Sequence, residues 1–305
     1  QEVIDCGVCY TNSISINGLE GPYTSVLLDG IPMYGNLASV YGLNGIPNMI
    51  IDRLEIIKGP SSTLYGSEAV AGVINIITKN PKDQPFLSLD VQGTTLKESF
   101  VNLALTPSFR KSYGYFGINW DRKSNYDDYN NDGFGDDINL TRLSIFNKWN
   151  IYRQSKKEFI ISARYYFEDR RNGVKEYLSN NNYKKIRGDS QIYGESIYTN
   201  RLELFGKYEF AFSEGFEVNY SFSKHDQNSY YGSDYYQANQ DIFFSQFTLD
   251  RNYGNHDLLF GASIKNNLYD DNTIATQSVV NGTIINKNSN QLIPGLLIQD
   301  QYKPS

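Results

Sequence analysis

Ten segments between residues 86 and 301 alternate apolar and polar side chains, and this alternation limits the fold more than any other feature of the sequence. A period of two places the apolar set on one face of a β-strand and the polar set on the other. Each segment has about ten residues, the length that a tilted strand needs to cross a bilayer, whereas soluble strands usually have about five or six. In 158–168, for example, Phe159, Ile161, Ala163, Tyr165 and Phe167 alternate with Glu158, Ser162, Arg164 and Glu168.

The connections between these segments also follow a pattern of length. We predict strands at about 86–95, 98–106, 112–121, 140–151, 157–168, 199–211, 215–226, 240–252, 255–268 and 290–301. Most odd-numbered strands are followed by long connections, at 122–139, 169–198, 227–239 and 269–289, and the even-numbered ones by short turns. Outer-membrane barrels have long loops at one end and short turns at the other. A soluble β-sandwich has no reason to separate its loops in this way.

The composition agrees with a membrane barrel and excludes several other classes. No run approaches the roughly 18 apolar residues of a transmembrane helix, which excludes a helical membrane protein. Aromatic residues make up 14% of the chain, and barrels use them as girdles at the lipid–water boundary. Tyr-rich soluble sandwiches and propellers are the alternative on composition, but no fixed repeat supports a propeller. The net charge of −6 argues against a nucleic-acid partner, and no Ser-His-Asp set or HExxH motif indicates an enzyme.

A change in pattern near 80–85 divides the chain into a Gly-rich region, 1–84, and the alternating region, 85–305. The first contains INGLEGPYTSVLLDGIPMYG and IIDRLEIIKGPSSTLYGSEAVAGVINIITKNP. These strings resemble the plug domain of TonB-dependent outer-membrane receptors, most of all cobalamin and iron-chelate receptors of Bacteroidota. The resemblance implies an all-β membrane protein: the C-terminal portion of an α+β plug domain in 1–84, then about ten strands of a 22-stranded antiparallel transmembrane β-barrel in 85–305.

The same resemblance implies a transporter in the outer membrane of a Gram-negative cell. Its partners would be the TonB–ExbB–ExbD energy-transducing complex, a metal-chelate ligand, outer-membrane lipid and, in some such systems, a surface lipoprotein. The signal peptide and the TonB box are expected before Gln1, and the remaining strands beyond Ser305. The ligand expected first is cobalamin, followed by a ferric siderophore or haem. The alternatives are a glycan or oligomer importer and a non-energised adhesin or porin, although a porin needs no plug.

Three groups of residues in the first region are candidates for a role. Charges alternate with apolar residues at Arg53, Glu55 and Lys58, and the resemblance implies that they face charges of the barrel wall; a solvated strand face is the alternative. Cys6 and Cys9 form a CxxC pair, expected as a disulfide in an oxidising compartment, with a soft-metal pair or free thiols as alternatives. Ligand contacts at the plug apex are expected from Tyr10, Asn12, Tyr34, Asn36, Tyr41 and Asn44.

The loop 122–139 has the spacing of a calcium site. Asp128, Asn130 and Asp132 stand at i, i+2 and i+4, with Gly133 next and Asp136 beyond. This D-x-N-x-D-G spacing folds oxygen ligands around one calcium ion and turns at the glycine. The twelfth position is Asn139 and not Glu, so a complete EF-hand is excluded, and a solvated acidic loop is the alternative.

Overall fold

The computed structural model describes residues 15–16, 18–20, 23–33, 46–60, 69–179, 183–280 and 282–304. Nearly all of its regular structure is β-strand, as the sequence predicts. The single α-helix of these residues, α1, is Lys175–Ser179, and short 3₁₀ turns span Asn48–Ile50, Pro81–Asp83, Tyr183–Lys185 and Ile274–Thr276. None of the helices in the described ranges has the length and apolar character needed to span a bilayer.

A small sheet forms from the N-terminal region. After the hairpin β1 (Ser15–Ile16) and β2 (Leu19–Glu20) come β3 (Thr24–Leu28), β4 (Ile31–Pro32), β5 (Ile51–Lys58) and β6 (Gly72–Thr78). The last four pair in the order β4-β3-β6-β5, with β3 and β6 parallel. Asp29 and Gly30 connect β3 to β4 with φ of 51° and 82°. Positive φ at both central residues is what an Asp-Gly hairpin turn of type I′ requires.

Gly72 begins β6 at a position that excludes a side chain. Its φ is 156°, and a Cβ built there would lie 2.4 Å from the Ile57 carbonyl oxygen of β5. We expect Gly72→Ala to lower the free energy of unfolding by about 2–4 kcal/mol, because it combines backbone strain with a clash. Urea unfolding of the protein measures this. Gly93→Ala is the control, since its Cβ would meet nothing closer than 3.9 Å; equal losses in both variants would contradict the prediction.

A large antiparallel sheet contains most of the remaining strands. Its strands are β7 (Leu87–Gly93), β8 (Glu98–Leu105), β9 (Ser108–Phe109), β10 (Ser112–Lys123), β11 (Asn139–Asn150), β12 (Phe159–Gly173), β13 (Gly194–Glu209), β14 (Phe216–Tyr231), β15 (Asp234–Tyr253), β16 (His256–Asp271) and β19 (Ser289–Tyr302). They pair in chain order, with the short β9 added beside β10. A separate hairpin, β17 (Gln277–Val280) and β18 (Thr283–Asn286), lies between β16 and β19. Each of the ten predicted strands is therefore present.

The prediction of a long loop at 227–239 is wrong. Residues 216–231 and 234–253 are continuous strands, and only Gly232 and Ser233 connect them. The strands extend past the apolar alternation because their ladder hydrogen bonds do not depend on lipid contact. Gly232 has a φ of 59°, and a Gly-Ser pair between two Tyr-rich runs is a signal for a two-residue hairpin turn. The 169–198 connection also shortens, to 174–193.

The two faces of the large sheet differ in polarity. We call the face that contacts the small sheet the inner face and the opposite one the outer face. The outer face exposes apolar residues such as Ile161, Leu202 and Leu204, each at least 42% exposed, whereas the inner-face Arg164 of the same region is 1% exposed. This is the reverse of a soluble protein, and it fits a wall that faces lipid on its outside.

The two ends of the large sheet also differ. Short connections at 106–111, 151–158, 210–215 and 254–255 form the turn end. The opposite, loop end has the long connections 124–138, 174–193 and 272–288, besides the tight turn at 232–233. The predicted segregation of loop lengths is thus present at three of the four predicted long loops.

Candidate functional site: the contact between the two sheets

An apolar layer joins the small sheet to the inner face of the large sheet. It is formed by buried side chains from both: Leu28, Ile31, Ile46, Ile50 and Ile76 on one side, Ala104, Tyr115, Phe146 and Phe205 on the other. The Tyr115 hydroxyl also donates a hydrogen bond of 3.0 Å to the Met49 carbonyl oxygen. Burial of apolar area is the main attraction between the sheets.

A polar cluster at the turn end of this contact links the sheets through one lysine. The Asp29 carboxylate accepts hydrogen bonds from the Thr78 backbone N–H and hydroxyl, both at 2.8 Å. The Lys148 ammonium of β11 lies 2.7 Å from Asp29 Oδ2 and 2.8 Å from Thr78 Oγ1. Both charged side chains are at most 16% exposed, so water screens this ion pair weakly. We call Asp29, Thr78 and Lys148 the clasp.

A cavity of about 420 Å³ lies beside the clasp. The small sheet contributes the Asp29–Gly30 turn and the end of β6, and the large sheet contributes Tyr113, Lys148 and Lys207 among others. Lys207 pairs with Glu217 at 2.8 Å and Glu158 at 3.4 Å. At the turn end, the two sheets are thus separated by a polar space. It lies next to the Asp29–Lys148 pair, the only ion pair between the sheets among the described residues.

Two networks of buried charges continue along the inner face toward the loop end. In the first, Arg142 lies 2.7 Å from Glu168 and 3.4 Å from Asp121, and Tyr166 donates to Glu168 at 2.6 Å. Arg170 also pairs with Glu168. Each charge therefore has an opposite partner, which burial of this kind requires.

The second network lies one strand further along and centres on Glu203. Its carboxylate accepts from Arg201 at 2.6 Å and from Arg164. Arg201 Nη1 is 3.5 Å from Nδ1 of His225, which is fully buried. Close by, Thr199, Gln227 and Gln240 each bury an oxygen that has no hydrogen-bond partner in the described part of the chain. The inner face thus presents a polar surface with unused acceptors.

The predicted wall-facing charges of the small sheet lie on its edge strand β5. Arg53 pairs with Asp52 at 3.1 Å and with Glu55 at 2.8 Å, and all three are at least 43% exposed. Those two carboxylates raise the pKa of Arg53, through the Glu55 hydrogen bond first. The described residues of the large sheet provide no partner for Arg53, so its pairing with barrel charges, and that of Glu55 and Lys58, stays a prediction.

The predicted calcium loop folds as a turn, and its own side chains stabilise the turn by hydrogen bonds to backbone N–H groups. Asp128 accepts from the backbone N–H groups of Asp132 and Gly133 at 3.1 and 3.0 Å. Asn130 accepts from Asp132 N–H at 3.0 Å, and Asp136 from Tyr129 N–H at 2.5 Å. The described residues contain no group of three or more His, Cys, Asp or Glu side chains placed to hold a metal ion. The calcium site of this loop stays a prediction.

Loop 174–193 has a small core of its own. Tyr177, Leu178 and Tyr183 are buried together, with Tyr126 and Ile186 against them. The Tyr183 hydroxyl donates to Asp169 of β12. Burial, and next the Asp169 carboxylate, raise the pKa of Tyr183 above its ordinary value. The described residues of this loop thus pack together at the loop end.

Other predicted sites lie outside the described residues. They are the cysteine pair, Cys6 and Cys9, and the expected ligand contacts Tyr10, Asn12, Tyr34, Asn36, Tyr41 and Asn44. Conversely, sequence reasoning missed the clasp and the two charge networks. Their signal was the polar half of each alternating strand, where Lys148, Arg164 and Glu203 stand at inner-face positions.

Comparisons with known proteins identify the first region. A family model for the TonB-dependent receptor plug domain matches residues 4–73. Residues 4–73 are a TonB-dependent receptor plug domain. The plug therefore includes β1 to β5 and the start of β6, and the clasp joins a plug turn to the large sheet. A stretch of 102 residues is 36% identical to the vitamin B12 transporter BtuB of Vibrio vulnificus. That stretch is 33% of this chain and 16% of the transporter.

Solved structures show the fold of the plug and large sheet together. The siderophore receptor PirA of Acinetobacter baumannii superposes with a TM-score of 0.66 at 15% identity, over 95% of this chain and 48% of PirA. The ferric yersiniabactin uptake receptor FyuA of Yersinia pestis gives 0.62 at 14% identity, over 96% of this chain and 56% of FyuA. The chain thus spans about half the length of these receptors. Its large sheet has the fold of part of a receptor barrel.

Proposed function

We propose that the complete protein imports a scarce metal chelate across the bacterial outer membrane, driven by the TonB complex. The observation that carries this proposal is the reversed polarity of the large sheet, apolar outside and charged inside, with a plug sheet held on its inner face. An outer face of this kind belongs in lipid. In the described residues the plug is held by the clasp, by the Tyr115–Met49 hydrogen bond and by the apolar layer. In this proposal the plug closes the lumen and is released when these contacts are broken.

The cavity beside the clasp supports a displacement of the plug. Because a polar space already separates the sheets there, pulling on the plug breaks the clasp first and the apolar layer afterwards. The unused acceptors of Thr199, Gln227 and Gln240 would then face the opened lumen and provide hydrogen bonds to a polar ligand. Ligand movement along this inner face completes the proposed import step.

Cobalamin is the ligand we propose first. The support is the 36% identity to a vitamin B12 transporter over the matched stretch, while the similar folds include receptors of ferric siderophores. Cyanocobalamin, haem and a ferric siderophore are to be titrated into the complete receptor by calorimetry. We expect corrinoid binding at sub-micromolar concentration. No corrinoid binding at micromolar concentration, with tight binding of an iron chelate, would reject cobalamin and leave import of a metal chelate standing; binding of none would contradict both.

Calcium in loop 124–138 is a separate proposal with its own test. If calcium orders this loop, chelator weakens ligand binding by about tenfold or more, since ordering energies of a few kcal/mol are usual for such coupling. The double variant D128N/D132N then binds ligand equally with and without calcium. D234N, an exposed aspartate at the same end, is the control and keeps the calcium response. A calcium response that survives in D128N/D132N would place the ion elsewhere.

A further inference from the structure

A polar cavity of about 190 Å³ lies at the loop end of the large sheet, and outer-face residues form much of its lining. Lys123 also lines it, but this lysine is paired with Glu98 and Asp137. Arg122, Thr141 and Asp169 form a cross-strand row on β10, β11 and β12 beside it. Arg171 is the next outer-face residue on β12 and also lines the cavity. The centroid of the Tyr183 ring, from loop 174–193, lies 4.1 Å from the Arg171 guanidinium, so this tyrosine packs against the arginine at the rim.

The cavity lies directly above the last apolar row of the outer face. Trp120, Leu143 and Phe167 form that row. On its own strand, each of them is two residues away from the member of the cavity row, Arg122, Thr141 or Asp169. Two residues along a strand span about 7 Å. Trp and other aromatic residues mark the boundary between acyl chains and headgroups. The cavity is therefore at the level of the lipid headgroups of the outer leaflet.

Positively charged side chains outnumber negatively charged ones at the cavity. Neither Arg122 nor Arg171 makes an ion pair with any carboxylate in the described ranges, and Arg122 is exposed. The one acidic side chain, Asp169, already accepts a hydrogen bond from the Tyr183 hydroxyl and lies 3.9 Å from Lys184. Two guanidinium groups without anionic partners thus flank a polar space.

We propose that this cavity binds the phosphate group of a lipid in the outer leaflet, with Arg122 and Arg171 as its ligands. Guanidinium groups bind phosphate oxygens through paired, charge-assisted hydrogen bonds. Below them, Trp120 and Phe167 offer apolar contact to the acyl chains. The inference rests on the proposed function, because an outer-face site meets lipid only if the large sheet spans the outer membrane.

The test compares R122Q/R171Q with wild type and with K287Q, which removes an exposed lysine of loop 272–288 at the same end of the sheet. The complete receptor is placed in phosphatidylcholine nanodiscs. Native mass spectrometry then measures binding of bisphosphorylated lipid A, its dephosphorylated form and inorganic phosphate. We expect R122Q/R171Q to bind phosphorylated lipid A about 30-fold more weakly, from two lost charge contacts, and K287Q to bind it normally. Dephosphorylated lipid A should bind to wild type no better than to the double variant.

Each other outcome overturns the proposal. Equal affinity of wild type and R122Q/R171Q for phosphorylated lipid A would show that these arginines do not hold it. Inorganic phosphate that binds as tightly as the lipid would make this a site for the free ion. Chelate titration of the same samples separates the two proposals. If the receptor inserts into nanodiscs and binds chelate, but does not distinguish the lipids, only the lipid site is rejected. A receptor that fails to insert contradicts the proposed function itself.

Discussion

Glu203→Gln is expected to lower the free energy of unfolding by about 3–5 kcal/mol, the usual cost of removing one partner from a buried ion network. Glu203 is 5% exposed and is the carboxylate shared by Arg164 and Arg201. Glutamine keeps the shape of the side chain but removes the negative charge that two guanidinium groups share. Urea unfolding of the complete receptor in lipid, followed by tryptophan fluorescence, measures the loss.

Glu217→Gln is the matched control for that experiment. Glu217 also pairs with a cation on a neighbouring strand, Lys207, but the side chains are 27% and 29% exposed. We expect a loss of at most about 1 kcal/mol, because solvent screens such pairs. If Glu203→Gln cost no more than Glu217→Gln, the inner face would be hydrated and its charges would not hold the strands together.

Lys148→Met is expected to loosen the plug from the large sheet. The substitution keeps most of the side-chain volume but leaves the largely buried Asp29 carboxylate with Thr78 as its partner among the described residues. We expect a local cost of about 2–4 kcal/mol, which corresponds to an increase of roughly 30-fold or more in amide hydrogen exchange. Exchange of 24–32 and 72–79 in the complete receptor, measured by mass spectrometry, reports it directly.

Two variants make that experiment specific. Lys111→Met removes a turn-end lysine that lies over Tyr152 and is not a member of the clasp, and it should leave exchange of 72–79 unchanged. Asp29→Asn combined with Lys148→Met should cost less than the sum of the single variants, because both break the same ion pair. Additive effects would mean that Asp29 and Lys148 act independently and that the clasp does not exist as a unit.

The positions of the barrel strands can be predicted from the local alternation of apolar and polar residues. The extensions of β14 and β15 beyond that alternation cannot. Alternation locates all ten strands because lipid contact requires an apolar residue at every second position. Beyond the lipid this requirement ends, so the extension of β14 and β15 to the Gly232–Ser233 turn has polar residues on both faces. The Gly232–Ser233 dipeptide was the remaining signal for a turn there, and the prediction of a loop at 227–239 did not use it.

The contact between plug and large sheet could not be predicted residue by residue. Alternation shows that Lys148 belongs to the polar half of its strand, but its partner Asp29 is 119 positions away. Register across that distance is set by how the small sheet docks, which local sequence does not determine. Sequence reasoning instead selected Arg53 and Glu55, whose charges are satisfied within their own edge strand.

A plug–barrel disulfide tests the central claim most directly. A Cβ at Gly117 of β10 would lie 3.1 Å from Ile50 Cγ2 of the plug region, close to the roughly 3 Å between Cβ and the far sulfur of a disulfide. The complete receptor carrying I50C/G117C, with Cys6 and Cys9 replaced by serine, can therefore be locked by oxidation. Energised uptake of radiolabelled cyanocobalamin, or of the ferric chelate that binds in its place, is then measured in cells. We predict normal ligand binding, no uptake when oxidised and full uptake after reduction; equal uptake in both states would contradict an importer whose plug moves against this inner face.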